Sequence, residues 1–108
     1  MEDINFDDFQ RIDLRVAKVI AAEKIEDSEK LLKLEIDLGK EKRQLVAGIS
    51  QFYSPEELIG REIVVLVNLE PRKIKGVESQ GMLLAADDRG NPVLLKPDKE
   101  VPPGTKIR

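Results

Sequence analysis

The 108-residue chain contains no cysteine and no histidine. Their absence excludes disulfides, thiolate nucleophiles, imidazole acid–base chemistry and the usual zinc ligand sets. Only hard oxygen donors remain for a metal, and no Asp/Glu grouping has the spacing of a Ca²⁺ loop. No metal and no cofactor is expected. Tryptophan is also missing, and there are only three Phe and one Tyr. The stacking platforms of single-strand readers are therefore sparse. No apolar run approaches the roughly 20 residues that span a bilayer. Met1 opens an acidic, polar segment rather than a signal peptide, so a cytoplasmic protein with no membrane partner is expected. Adjacent acids occur as Asp7-Asp8 and Asp87-Asp88. Both pairs lie in turn-like contexts where capping accounts for them, so no catalytic residue is assigned.

What is present is the composition of a folded domain: 41% hydrophobic and 36% charged residues. One domain over residues 1–108 fits this length. The net charge of −3 opposes nucleic-acid binding only if it is spread evenly, and it is not. Residues 1–29 hold 9 acids and 4 bases, whereas residues 30–108 hold 14 bases and 12 acids. A ligand feels the field over one face, within a screening length of about 8–10 Å.

Residues 1–11 read as an acidic lead-in with a short helical turn, capped by Asp7 or Asp8 and packed on the body by Phe6 and Phe9. Residues 12–23 read as a long strand. Ile12, Leu14 and Val16 alternate, then Ala17, Val19 and Ala21 continue in the opposite phase, which predicts a β-bulge. Leu32, Leu34, Ile36 and Leu38 alternate with Lys33, Glu35 and Asp37, as in a strand with one wet face. Arg43 to Ile49 is the return strand. Ser54, Pro55 and Glu57 form a helix-start pattern with a capping box, and Gly60 ends that helix. Phe52 and Tyr53 are expected to pack beneath it. The run Ile63 to Val67 has no polar gap, so both faces of that strand should be covered. Residues 70–80 read as a loop or irregular ribbon and residues 81–86 as a buried strand. Pro92 to Lys96 reads as a short edge strand, and residues 97–108 as an extension that resists regular structure. The prediction is an all-β, five-stranded OB-fold Greek-key barrel, with a short helix between strands 3 and 4 and a C-terminal extension.

The segment Asn68–Met82 concentrates the chemistry. Arg72, Lys73 and Lys75 suit phosphate contacts. Ser79 and Gln80 can hydrogen-bond sugar or base edges, and Met82 offers an apolar surface to a base. A solvated basic loop has the same composition. Lys40, Lys42 and Arg43 at a hairpin turn, and Arg15, Lys18, Lys30 and Lys33 on the first strands, are further candidates, since outward strand positions form the usual OB ligand face. With few aromatics, recognition should rest on backbone and shape.

Four stretches carry a family resemblance: DDFQRIDLRVAKV (7–19), KLLKLEIDLG (30–39), YSPEELIGREIVVLVNLEPRKIKGVESQGMLLAA (53–86) and PDKEVPPGTKI (97–107). Together they resemble the tRNA-binding domain family. Its members occur at the C-terminus of methionyl-tRNA synthetases, as separate synthetase β-subunits, as free-standing tRNA-binding proteins and in the endothelial monocyte-activating polypeptide group. The resemblance implies an OB-fold homodimer that binds tRNA by shape while another domain aminoacylates it. It places RNA contacts at Asn68, Arg72, Lys73, Lys75, Ser79, Gln80 and Met82, with Arg15, Lys33 and Arg43 as secondary positions. A chaperone branch shares the fold but usually lacks the Ser79-Gln80-Gly81-Met82 pattern. With Met1 read as a native start, the expectation is a β-subunit partnered by the synthetase catalytic chain. A free-standing tRNA-binding protein and a chaperone are the alternatives.

Overall fold

A computed structural model describes all of residues 1–108. In chain order the elements are α1 (Phe6–Gln10), β1 (Leu14–Lys24), β2 (Leu32–Asp37), β3 (Lys42–Ala47), α2 (Pro55–Leu58), β4 (Glu62–Leu66) and β5 (Arg72–Ile74). They are followed by β6 (Val77–Ser79), β7 (Met82–Leu83), β8 (Ala85–Asp88), β9 (Asn91–Leu94) and β10 (Lys106–Ile107). The main sheet runs β3-β2-β1-β4-β7, and every pairing in it is antiparallel.

The long strand β1 serves two neighbours because it bends. Its register against β2 shifts between Val19 and Ala21, further along than the phase switch at Val16–Ala17 that predicts it, where the register on β4 is unbroken; the bulge supplies the extra bend. The sheet then closes on itself. Gln80 N–H donates to Gln44 O at 2.8 Å, and Val46 N–H donates to Ser79 Oγ at 3.0 Å. Residues 79–81 are thus the seam joining the last barrel strand to β3. The result is the five-stranded OB barrel, with α2 between its third and fourth strands.

The alternating apolar residues of β2 point into this barrel. Leu32, Leu34, Ile36 and Leu38 are buried there with Val19, Leu45, Ile49, Ile63, Val65 and Val67. Burying each large aliphatic side chain contributes roughly 1.5–3 kcal/mol. Helix α2 has one buried residue, Leu58, which joins the same core. Its capping box is formed in full: Ser54 Oγ accepts from Glu57 N, and Glu57 Oε2 accepts from Ser54 N at 2.9 Å.

Several local expectations are corrected. Residues 70–80 are a regular hairpin, β5–β6, turned by Lys75 and Gly76 at φ 53° and 78°. Two successive positive φ values match the twist of a two-residue hairpin loop. Lys-Gly lacks the Asn or Asp that usually marks such a turn. Residues 81–86 are not one buried strand: β7 ends at Leu83, and β8 leaves the barrel to pair with β9 in a separate ribbon. Asn5, not Asp7 or Asp8, caps α1, by accepting from Asp8 N at 2.8 Å. Phe6 and Phe9 pair with each other, 6.4 Å between ring centroids, and both remain exposed.

The extension is also more regular than expected, since β10 pairs with the start of β1. Gly104 N–H donates to Val16 O at 2.7 Å, and Thr105 O accepts from Val16 N at 2.9 Å. Val16 and Val64 sit opposite each other on β1 and β4, outside the barrel core, yet are only 3% and 9% exposed. The chain itself therefore covers the second face of β4. The apolar run Ile63–Val67 does not by itself require a partner subunit.

Candidate nucleic-acid interface

Outward residues of β1–β3 line a groove of about 510 Å³, comprising among others Ala21, Glu23, Lys33, Glu35, Lys42 and Gln44. Gln80 and Arg43 border it. The groove is set by strand alternation: each residue that faces it has core-facing neighbours in sequence. Ala21, directly opposite Glu35, is small enough to keep the floor low.

The cations around the groove fall into two groups. Lys33 Nζ lies 2.6 Å from Glu23, its cross-strand partner. Arg43 stands opposite Ile36, which places it on the core side at the barrel mouth. Its guanidinium donates to the carbonyls of Val67 and Gln80 and pairs with Glu41 at 3.0 Å. Arg15 pairs with Asp13 at 3.0 Å, donates to Gly104 O, and lines a neighbouring depression that Arg43 also borders. By contrast, Arg72, Lys73 and Lys75 on the β5–β6 hairpin, like Lys42 in the groove, are exposed and make no ion pair, although Lys73 stands opposite Glu78 in the hairpin register.

The remaining predicted residues hold the architecture together. Ser79 is 3% exposed; its hydroxyl accepts from Val46 N and donates to Gly81 O at 3.0 Å. Gln80 Oε1 accepts from Gln44 N at 3.0 Å. Gly81 has φ +130°, and a Cβ there would stand 2.8 Å from Leu66 O, so the seam admits only glycine. Met82, the next residue, is 40% exposed. Asn68 clamps the N-terminal segment to the end of β4, accepting from Asp13 N at 2.9 Å and donating to Arg11 O. The structure thus brings Lys33, Arg43 and Gln80 to one groove and hangs the basic hairpin from its β3 edge. Arg15 and Asn68 lie outside that groove.

Two residues at the grooves carried no sequence signal. Gln44 occupies an ordinary outward strand position. Phe52, expected beneath α2, is 45% exposed and lines a second groove with Lys24 and Gln51. Tyr53 packs against the core as expected, with its hydroxyl accepting from Leu94 N at 3.2 Å and Arg61 5.6 Å from its ring. The one clear pKa displacement is at Glu57. The Ser54 backbone N–H, then the Ser54 hydroxyl and the Arg61 charge, hold its carboxyl below the ordinary value.

Residues 14–106 match the family described as "Putative tRNA binding domain". The chain belongs to this tRNA-binding domain family. Methionine–tRNA ligases match it across nearly its whole length: that of Methanothrix thermoacetophila is 64% identical over 97% of the chain, and that of Archaeoglobus fulgidus 55% identical over 98%. The chain spans only about 16% of the length of those ligases. Among solved structures, a MetRS-related protein from Pyrococcus horikoshii superposes with a TM-score of 0.95 at 42% identity, covering 100% of both chains. The chaperone CsaA of Bacillus anthracis superposes with a TM-score of 0.90 at 39% identity, covering 99% of this chain and 100% of its own. The tRNA-binding domain is therefore built here as the OB barrel that the sequence predicts.

Proposed function

We propose that this chain is a non-catalytic tRNA-binding module that works beside methionyl-tRNA synthetase in the cytoplasm, raising the affinity of its catalytic chain for tRNA. The observation that carries the binding mode is the unpaired Arg72, Lys73 and Lys75 on a hairpin hydrogen-bonded to the edge of a groove. Three exposed cations gathered in one short hairpin attract phosphate, and the groove beside them receives the adjoining sugar and base. Family membership supports tRNA as the RNA. The named ligases support the synthetase as the partner. Fluorescence anisotropy with bulk tRNA tests the first part: saturable, salt-sensitive binding is expected, and no binding at low salt overturns it. Co-purification with the synthetase catalytic chain tests the second; a tRNA binder that captures no synthetase is a free-standing protein.

A homodimer is part of the same proposal, resting on a patch other than β4. Phe6, Phe9 and Ile12 are 69%, 38% and 40% exposed, and together with Ile107 they line an apolar depression. A two-fold pairing would cover such a patch on both copies at once. Light scattering at micromolar concentration should give twice the 12.2 kDa chain mass; a monomer mass rejects the dimer. The CsaA likeness supports a second reading, a chaperone. That reading predicts suppression of client aggregation without tRNA affinity.

A further inference from the structure

A second groove, of about 600 Å³, opens between the last residues of β1 and the turn that precedes α2. Strand β1 has β4 beside it only over Leu14–Lys18, which leaves this side of its far end open. The two grooves share Ala22 and Glu23, so they are continuous. Phe52 is the one large apolar side chain exposed in the second groove. Its backbone is fixed. The N–H groups of Phe52 and Tyr53 both donate to Ile49 O, at 2.9 and 3.0 Å, and Ser50 N–H donates to Lys30 O at 3.0 Å. Ile49 is in the core and Tyr53 packs against it, so the turn cannot rotate to bury the Phe52 ring without withdrawing them. Three charged residues line the groove. Glu23 is paired with Lys33 at 2.6 Å, and Lys24 and Glu56 make no ion pair. With Lys33 included, these charges cancel.

We infer that Phe52 is a stacking platform for one unpaired nucleobase of the bound RNA, at the end of the interface away from the hairpin. The inference rests on the RNA-binding reading above and adds to it a contact that does not depend on charge. A flat ring with a polar rim, here Ser50, Gln51 and Ser54, matches a nucleobase, which is flat with polar edges. A protein partner buries a contiguous apolar patch, and in this groove the ring stands alone. Every base has a π-face, so the contact distinguishes unpaired from paired nucleotides and not one base from another. Because the groove has no net charge, its contribution is insensitive to salt, unlike that of the hairpin cations. RNA held by its phosphates at the hairpin enters the first groove and reaches Phe52 along the shared stretch at Ala22 and Glu23.

The chain has no tryptophan, so Phe52→Trp places a single indole at the platform. Stacking of a base on that indole quenches its fluorescence. Titration with bulk tRNA should quench Phe52→Trp and saturate together with the anisotropy signal. Val93→Trp is the control: Val93 is exposed on β9 and lines neither groove, and its indole should keep its emission. A uridine octamer should quench Phe52→Trp, and a fully paired RNA duplex should not. Affinity gives a second readout. Phe52→Ala should weaken tRNA binding by roughly 5- to 100-fold, the range of one lost base stack. The loss should be the same at every salt concentration, with the log–log slope of the wild type retained. Phe52→Leu keeps an apolar side chain without a ring face and should lose nearly as much. Melting curves establish that the variants are folded. Tight tRNA binding with no quench in Phe52→Trp, or with equal quench in Val93→Trp, overturns the inference and leaves the proposed function standing. So does wild-type affinity in Phe52→Ala or Phe52→Leu. A wild-type chain that binds no tRNA overturns both.

Discussion

Three basic residues of the barrel and the three of the β5–β6 hairpin look alike in the sequence and differ in the fold. Arg15, Lys33 and Arg43 each have a carboxylate within 3.0 Å, and two of them also hold backbone carbonyls. Arg72, Lys73 and Lys75 have neither. A paired cation offers a phosphate only what remains after its partner is displaced. An unpaired one offers its full charge and releases its counterions on binding. The difference shows how a chain of net charge −3 can still present a local basic face: the hairpin gathers three cations that make no ion pair into one short segment.

The largest test of this contrast removes the hairpin charge. Replacing Arg72, Lys73 and Lys75 together with Gln should weaken tRNA binding by about 100-fold or more at low salt, since three phosphates would go unneutralised. The melting temperature should barely move, because surface substitutions of this kind cost about 0.5 kcal/mol or less. Unaltered affinity would break the contrast at its stronger end.

Arg43→Met should behave in the opposite way. It leaves the Val67 and Gln80 carbonyls without their charged donor, at a cost of about 1.5–3 kcal/mol, read as a lower urea midpoint. The salt dependence of tRNA binding should stay as in the wild type. A stable variant with a shallower salt dependence would place Arg43 with the hairpin instead. Ser79→Ala sharpens the contrast further: it strips the buried Val46 N–H of its acceptor, costing about 1–3 kcal/mol, with affinity reduced only as far as the folded fraction falls. A well-folded Ser79→Ala protein with weakened tRNA binding would return this hydroxyl to a direct role in holding RNA.

The smallest expected effect lies in the cap of α2, far from either group of cations. The Glu57 carboxyl titrates lower in the folded chain than its ordinary value of 4.5. Its contribution to stability is therefore present above that value and fades as pH falls through the lowered one. Glu57→Gln keeps an acceptor for the Ser54 N–H and should slightly flatten the loss of stability below about pH 4.5, with little change at neutral pH. Identical acid titrations of the two proteins would deny the cap this role.

The barrel was legible in the sequence because its signals are local. The alternation from Leu32 to Leu38 and the Ser54–Glu57 box each name an element, and each element is where those residues place it; the phase switch after Val16 signals a bulge in β1, which lies further along, between Val19 and Ala21. The hairpin β5–β6 was not, because Lys75-Gly76 turns through a conformation that lysine rarely takes, and the seam bonds that support it come from β3, more than thirty residues away. The site was legible in part for the same reason. Its cations are visible in the string, but which of them find carboxylates depends on cross-strand register, as between Glu23 and Lys33. Ser79 and Gln80 read as ligand contacts, and nothing local reveals that they also close the barrel.

The measurement that bears most directly on the role of the hairpin is the salt dependence of tRNA binding, compared between the wild-type chain and the hairpin triple substitution. If the unpaired hairpin cations neutralise phosphates, the log–log slope of the wild type should be steeper by about two to three units, near one unit for each cation replaced. Equal slopes for the two proteins, or a flat response in the wild type, would contradict it.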